Sequence, residues 1–229
     1  MKEPGMRKIF FADLDAAHPK IRDSLLSGLG LGIYGRAHSI EEADYVYSNR
    51  TFINADEHPD QKFIFGPQFC VFPNELKDRF RNRHWNSIYI QPSDWAAQVW
   101  IELGFRDLPL RSFPVGINTK RFCPSETTNE NEDVLVYHKY RELNDLSLVC
   151  KLLDDNKLIY RIFDYKKGYT EEQYLSCLNN SRFGIWVGCH ESQGIALQEA
   201  LSMNVPLLVW NVTAMKQATD LKFIFYIRC

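Results

Sequence analysis

Two carboxylates at a helix-compatible spacing are the residues of this chain best suited to chemistry. Glu191 and Glu199 bracket the run Glu191-Ser-Gln-Gly-Ile-Ala-Leu-Gln-Glu199. Glu191 falls in a loop, because Gly188 breaks the apolar run 183–187 just before it. Glu199 falls about two turns into the segment that follows, with Ile195, Ala196, Ser202 and Met203 at spacings of three and four. A charge among small and apolar side chains costs several kcal/mol unless something hydrogen-bonds to it. The N–H groups of Ser192, Gln193 and Gly194, at the positive end of the expected helix, favour an anion such as a diphosphate. Gly194 has no side chain to keep a phosphate from the backbone. The bland alternative is a solvated Glu191 and a Glu199 that pairs with a Lys or Arg to hold the domain together.

The elements that would position these groups are legible around them. The continuous apolar run 183–187 suits a strand buried on both faces of a parallel sheet. Ser192 is the expected N-cap of a helix over 193–203, which Asn204 and Pro206 would end. Residues 205–210 read as the next strand, giving a β-α-β unit whose first loop carries Glu191. Open α/β sheets place their ligands at that carboxyl edge.

This arrangement, over residues 191–201 and its flanking strands, resembles the E-x7-E signature of retaining glycosyltransferases with the GT-B fold, the group typified by sucrose and glycogen synthases. The resemblance implies two Rossmann-like α/β domains facing each other across a cleft. It places Glu191 by the donor sugar and Glu199 on the ribose hydroxyls of a nucleotide. A basic pair after the first strand of the second domain would neutralise the donor diphosphate, here Lys139 and Arg141 within His138-Lys-Tyr-Arg141. That pair also suits a plain salt bridge to Glu142 or Asp145. Tyr165 or Tyr169 would lie near the base. The run Pro114-Val-Gly-Ile-Asn-Thr-Lys-Arg-Phe-Cys-Pro124 is similar to the interdomain hinge of the same group, with Ile117-Asn118 where Val-Asp is more usual.

The rest of the chain supplies alternating strands and helices. Strands are expected at 7–12, 43–47, 61–65, 87–91 and 110–115, then at 133–137 and 158–163. Helices are expected from Pro19 through Leu26, over 39–42, from Glu75, from Ser93 with a Trp95, Val99 and Trp100 stripe, over 145–153, and from Thr170 with Gln173 at the capping-box position. The glycines of 28–32 do not follow a strand directly, so a dinucleotide fingerprint is the weaker reading. The expected division is an acceptor-side domain over 1–115 and a nucleotide-sugar domain over 116–229. The second is abbreviated relative to the family, ending in the apolar run 223–229.

Composition narrows the function classes. In 229 residues, 45% hydrophobic and 14% aromatic content supports packed cores, and a formal net charge of −2 gives no chain-wide field for nucleic acid or anionic lipid. Lys77, Arg79, Arg81 and Arg83 read as a solvated face. Residues 1–7 are charged and no stretch approaches membrane-spanning length. Six scattered cysteines lack metal or disulfide spacing, so a reduced, cytoplasmic protein is expected. Cys189 beside His190 reads as a small buried residue rather than a nucleophile. Asp13-Leu14-Asp15 has the letters of a metal motif but lacks supporting ligands, so no metal and no cofactor are expected. His38, His84 and His190 are candidate bases only because imidazole titrates near neutrality.

The expectation is therefore a retaining sugar transfer from a UDP- or GDP-sugar to a hydroxyl acceptor such as a glycan. The alternatives are an epimerase or hydrolase of nucleotide sugars with the same fold, or a non-catalytic binding module.

Overall fold

The computed structural model describes residues 6–76, 80, 85–124 and 133–212. The basic cluster Lys77, Arg79, Arg81 and Arg83, the candidate base His84, most of the polar run 125–133, and the tail 223–229 with Cys229 lie outside the described residues. The chain divides into two compact units, Met1–Gly116 and Ile117–Cys229. Both are α/β, and both sheets are parallel throughout.

The first unit contains β1 (Lys8–Phe11), α1 (Pro19–Leu29), β2 (Gly35–Arg36), β3 (Tyr45–Ser48), β4 (Lys62–Phe65), β5 (Ser87–Gln91), α2 (Asp94–Glu102) and β6 (Leu110–Ser112). The strand order is β2-β1-β3-β4-β5-β6. Helix α1 starts where Pro19 supplies a preset φ and the His18 ring accepts the Lys20 amide at 3.3 Å. Helix α2 starts at Ser93, whose hydroxyl accepts the Ala96 amide at 3.1 Å. Its Trp100 is core: the ring stacks on Tyr89 at 4.7 Å and its indole N–H donates to the Val71 carbonyl. Phe63, Phe65, Phe80 and Phe105 complete an aromatic cluster in the offset and edge-on geometries such rings prefer.

Two expectations for this unit are corrected. Residues 39–42 form bends and a turn rather than a helix, and the strand expected at 43–47 runs over Tyr45–Ser48 instead. Pro73–Leu76 forms a 3-10 turn, and the rest of the helix expected from Glu75 lies largely outside the described residues. Strand β2, two residues long at the sheet edge, was not expected at all.

The second unit contains β7 (Asp133–Lys139), α3 (Leu143–Asp155), β8 (Tyr160–Asp164), α4 (Glu171–Asn179), β9 (Ser181–Gly188), α5 (Ile195–Ser202) and β10 (Leu207–Val209), with strand order β10-β9-β7-β8. Strand alternation sorts its core into two layers. Leu135, Tyr137 and Trp186 pack with residues of α4 and α5, whereas Val134, Val136 and Val187 pack with Val149 and Leu153 of α3. Lys139 therefore continues the face of Leu135 and Tyr137, the face covered by α4 and α5. The capping box expected at Thr170 is present in both halves, Thr170 accepting from the Gln173 amide at 3.1 Å and Gln173 from the Thr170 amide at 2.9 Å.

The segment resembling a hinge is anchored locally. Asn118 accepts the amides of Lys120 and Arg121, Phe122 is buried in the core of the second unit, and Ser202 of α5 donates to the Phe122 carbonyl.

Candidate functional site

In each sheet one place favours a ligand, where neighbouring strands send their connections in opposite directions and leave a crevice at the carboxyl edge. In the first unit β1 connects to β2 on one side while β3 connects to β4 on the other. In the second, β7 connects to β8 on one side and β9 to β10 on the other.

At the β7–β9 position the strands end level, Lys139 opposite Gly188, and the Cys189 amide extends the ladder by donating to the Lys139 carbonyl. The loop after β9 carries Glu191 back to that point, and Lys139 Nζ donates to Glu191 Oε2 at 2.8 Å. Both side chains are partly exposed, at 19% and 23%. The same ammonium sits 4.5 Å from the centre of the Tyr165 ring, close enough for a cation–π attraction. Tyr165, just past the end of β8, packs edge-on against Tyr140 at 5.2 Å. Tyr140 has φ of 55°, a left-handed conformation uncommon for a bulky residue, and it turns the chain from β7 into α3.

Arg141 lies deeper, only 7% exposed. Its Nε donates to Asp145 Oδ2 at 2.8 Å, one turn into α3, and its guanidinium stacks on Trp210 at 4.6 Å. Nη1 is buried, and no hydrogen-bond partner for it occurs among the described residues. The salt bridge to Asp145 weighed from sequence is thus present, with its Arg141 end buried and its Asp145 end one-quarter exposed.

Glu199 is 3% exposed on α5. The two acids of the motif act on a common neighbour, Tyr169. Burial raises the Tyr169 hydroxyl pKa, its hydrogen bond to Tyr137 at 2.9 Å pulls the other way, and the charges of Glu199 and Glu191 raise it further. Glu199 likewise adds to the upward shift that burial gives Tyr174. The tyrosines 137, 169 and 174 form one packed cluster on this face of the sheet.

The helix start differs from the expectation. Ser192 does not cap α5; Gly194 does, from a left-handed backbone at φ 74°, and the first helical residue is Ile195. A β-carbon at Gly194 would be strained by that φ whatever the space around it. The amides that helix geometry leaves without an intrahelical acceptor are consequently those of 194–197, which keeps Gly194 of the expected set but not Ser192 or Gln193. Ser192 is exposed, and Gln193 instead spans the first turn by donating to the Gln198 side chain at 3.0 Å.

Neither Cys189 nor His190 has the electrostatics of a nucleophile and its base. Burial raises the Cys189 thiol, and Glu191 raises it further. Burial lowers the His190 imidazole, helped by the nearby Lys139 cation. Of the other candidate bases, His38 is exposed.

The carboxyl edge of the first unit is built differently. Asp13, just after β1, accepts the amides of Asn49, Arg50 and Thr51 at 2.8, 2.7 and 2.8 Å, and the Ser48 hydroxyl at 3.4 Å. Consecutive amides converging on one point form an anion-binding nest, and here the anion is the chain's own carboxylate. Asp13 of the Asp-Leu-Asp run is therefore engaged by backbone. No group of three or more His, Cys, Asp or Glu able to hold a metal occurs among the described residues. No helix among them is long and apolar enough to cross a membrane.

Sequence reasoning passed over Asp13 as an anchor, Tyr137 as the partner of Tyr169, and Tyr140 as the turn beside Tyr165. Asp13 meets residues 36 to 38 positions away, and nothing local announces such a contact. Comparison of the sequence with known protein families and with curated proteins returned no match.

Proposed function

We propose that the second unit binds a nucleotide-sugar donor and that the protein transfers the sugar to a hydroxyl acceptor with retention of configuration. The observation that carries this reading is the meeting of Lys139 and Glu191 at the β7–β9 carboxyl edge, with Glu199 buried on α5. A diphosphate at this edge meets Lys139 and the first-turn amides of α5, with Arg141 adding positive charge from beneath. Glu199 accepts the ribose hydroxyls, and Tyr165 offers a ring face on the base side. Glu191, paired with Lys139, serves the sugar side.

In the reaction the bond between the anomeric carbon and the phosphate oxygen breaks with its electron pair going to the diphosphate. Lys139 and Arg141 stabilise the charge that develops there. The acceptor oxygen forms the new bond to the anomeric carbon on the face the diphosphate leaves, and its proton passes to the departing diphosphate oxygen. The reading extends to a GT-B arrangement of two domains across a cleft, with the acceptor bound on the side of the first unit.

Incubating the protein with UDP- and GDP-sugars and a panel of glycan acceptors tests the proposal, with the product anomer read by NMR. A glycosidic product with the donor's configuration supports it. Inverted product, or a free or epimerised sugar formed equally well without acceptor, excludes retaining transfer. A donor that binds and is never consumed reduces the protein to a binding module.

A further inference from the structure

The Lys139–Glu191 pair spans the place where the proposed diphosphate must bind, so ligand and Glu191 compete for one ammonium. We propose that Glu191 is a built-in competitor for the anion site: it holds Lys139 until a diphosphate displaces it, and only the displaced carboxylate meets the sugar. This rests on the reading of the second unit as a nucleotide-sugar site, and adds to it an order of events and a specificity rule.

Four observations bear on how the contact can be displaced. Among the described residues Lys139 Nζ is the one hydrogen-bond donor to the Glu191 carboxylate, through a single oxygen. Both side chains keep about a fifth of their surface in water, so each can be rehydrated as they part. Lys139 also keeps a second attraction, the Tyr165 ring at 4.5 Å, which holds the ammonium in place when Glu191 leaves. The left-handed Gly194 brings the loop close under Glu191, its β-carbon position lying 3.7 Å from Glu191 Cβ, so the acid pivots from a fixed base.

The charges decide which ligands win. A carboxylate offers one negative charge, whereas a diphosphate offers two or more and several acceptor oxygens that can also engage Arg141 and the α5 amides. A ligand with one phosphate pays the same competition with fewer contacts. Glu191 therefore discriminates against singly charged anions and neutral sugars, and its carboxylate is neutralised by Lys139 until the correct ligand arrives. The apparent affinity of the site is reduced by the fraction of molecules in which the pair is closed.

The test is calorimetric titration of the full chain with inorganic diphosphate and, separately, with a nucleoside diphosphate. The proteins are wild type, Glu191→Gln, Lys139→Ala and the double variant, each checked by far-UV circular dichroism. Competition requires Glu191→Gln to bind inorganic diphosphate roughly 3- to 10-fold tighter than wild type. It requires Lys139→Ala to bind at least about 10-fold weaker, and the double variant to bind no tighter than Lys139→Ala. Glu191→Ala, which removes the acid without leaving an amide, must show the same gain and serves if Glu191→Gln misfolds. Glu191→Gln binding equally or more weakly than wild type, while Lys139→Ala still weakens, overturns the competition and leaves the site reading intact. Absence of binding to either ligand in every protein removes both. An acid that only contacts sugar would leave the affinity for inorganic diphosphate unchanged.

Discussion

The two sheets diverge at their carboxyl edges in the same way and place a carboxylate there in opposite ways. At the β1–β3 edge a carboxylate, Asp13, is held by three consecutive backbone amides. At the β7–β9 edge a carboxylate, Glu191, is held by one lysine ammonium. Backbone amides cannot turn away, so the first arrangement ties the β1 loop to the β3 loop permanently. A lysine on a flexible stem can exchange partners. The contrast teaches that anion-binding geometry does not by itself mark a ligand site: what matters is whether the anion already present can leave.

The sharpest way to break this comparison is to remove each carboxylate in turn. Asp13→Ala leaves three amides without their acceptor, and a loss of about 3–5 kcal/mol in urea denaturation is expected. Formate or acetate should restore part of the melting temperature, because a small carboxylate can enter the vacated nest. Glu191→Gln removes a partly exposed ion pair and should cost less than about 1 kcal/mol. Equal losses at the two positions would erase the distinction.

The next largest effect concerns the buried cation beside the second edge. Asp145→Ala leaves Arg141 buried with that acidic partner gone and Trp210 against its guanidinium, and about 3 kcal/mol of stability should be lost. Nucleoside diphosphate should return part of that loss as a rise in melting temperature larger than in wild type, since it supplies Arg141 with a new counter-charge.

A smaller effect is expected in the tyrosine cluster. Tyr169→Phe removes the 2.9 Å hydrogen bond to Tyr137 and should cost about 1 kcal/mol by thermal denaturation. Near-ultraviolet circular dichroism should retain its tyrosine signals, because the ring packing survives.

The smallest effect is a pH dependence. His190 has its pKa lowered in the fold by burial and by Lys139, so the unfolded chain binds its proton first as pH falls. Its contribution is fully present above the ordinary histidine value of 6.5 and is lost as pH drops from there through the lower folded value. His18, lowered by burial and by Lys20, adds in the same direction in the first unit. Stability should thus decline below pH 6.5 with a slope no steeper than about 1.4 kcal/mol per pH unit for each histidine. His190→Gln should flatten that slope; an unchanged slope would place the effect elsewhere.

How much of this was legible in the sequence depended on range. The Thr170–Gln173 capping box, the Ser93 cap and the Pro19 helix start each lie within one turn, and the residue types alone announced them. The alternation of strands with helices fixed the α/β class, because buried parallel strands read as short apolar runs. Strand ends were less legible: β3 begins two residues, and ends one residue, beyond where its helix-like prelude and aromatic run suggested. Strand β2 is only Gly35–Arg36, held by pairing to β1 rather than by any pattern of its own. At the candidate site, Glu191, Glu199, Lys139 and Arg141 were marked by type and position. Their partners were not: Lys139 and Glu191 are 52 residues apart, and Ser192 looked like a cap because the left-handed turn at Gly194 leaves no trace except a glycine. Arg141 was read as a phosphate contact or a surface pair, and only tertiary packing puts it beneath Trp210.

Hydrogen–deuterium exchange with and without a nucleoside diphosphate tests the central claim most directly. Protection should appear at residues 139–142, 164–169 and 188–197, at the β7–β9 edge, and residues 48–51 around the Asp13 nest should be unchanged. Protection centred on 48–51, or none at 139–142 and 188–197 at saturating ligand, would contradict the assignment of the nucleotide to the second unit.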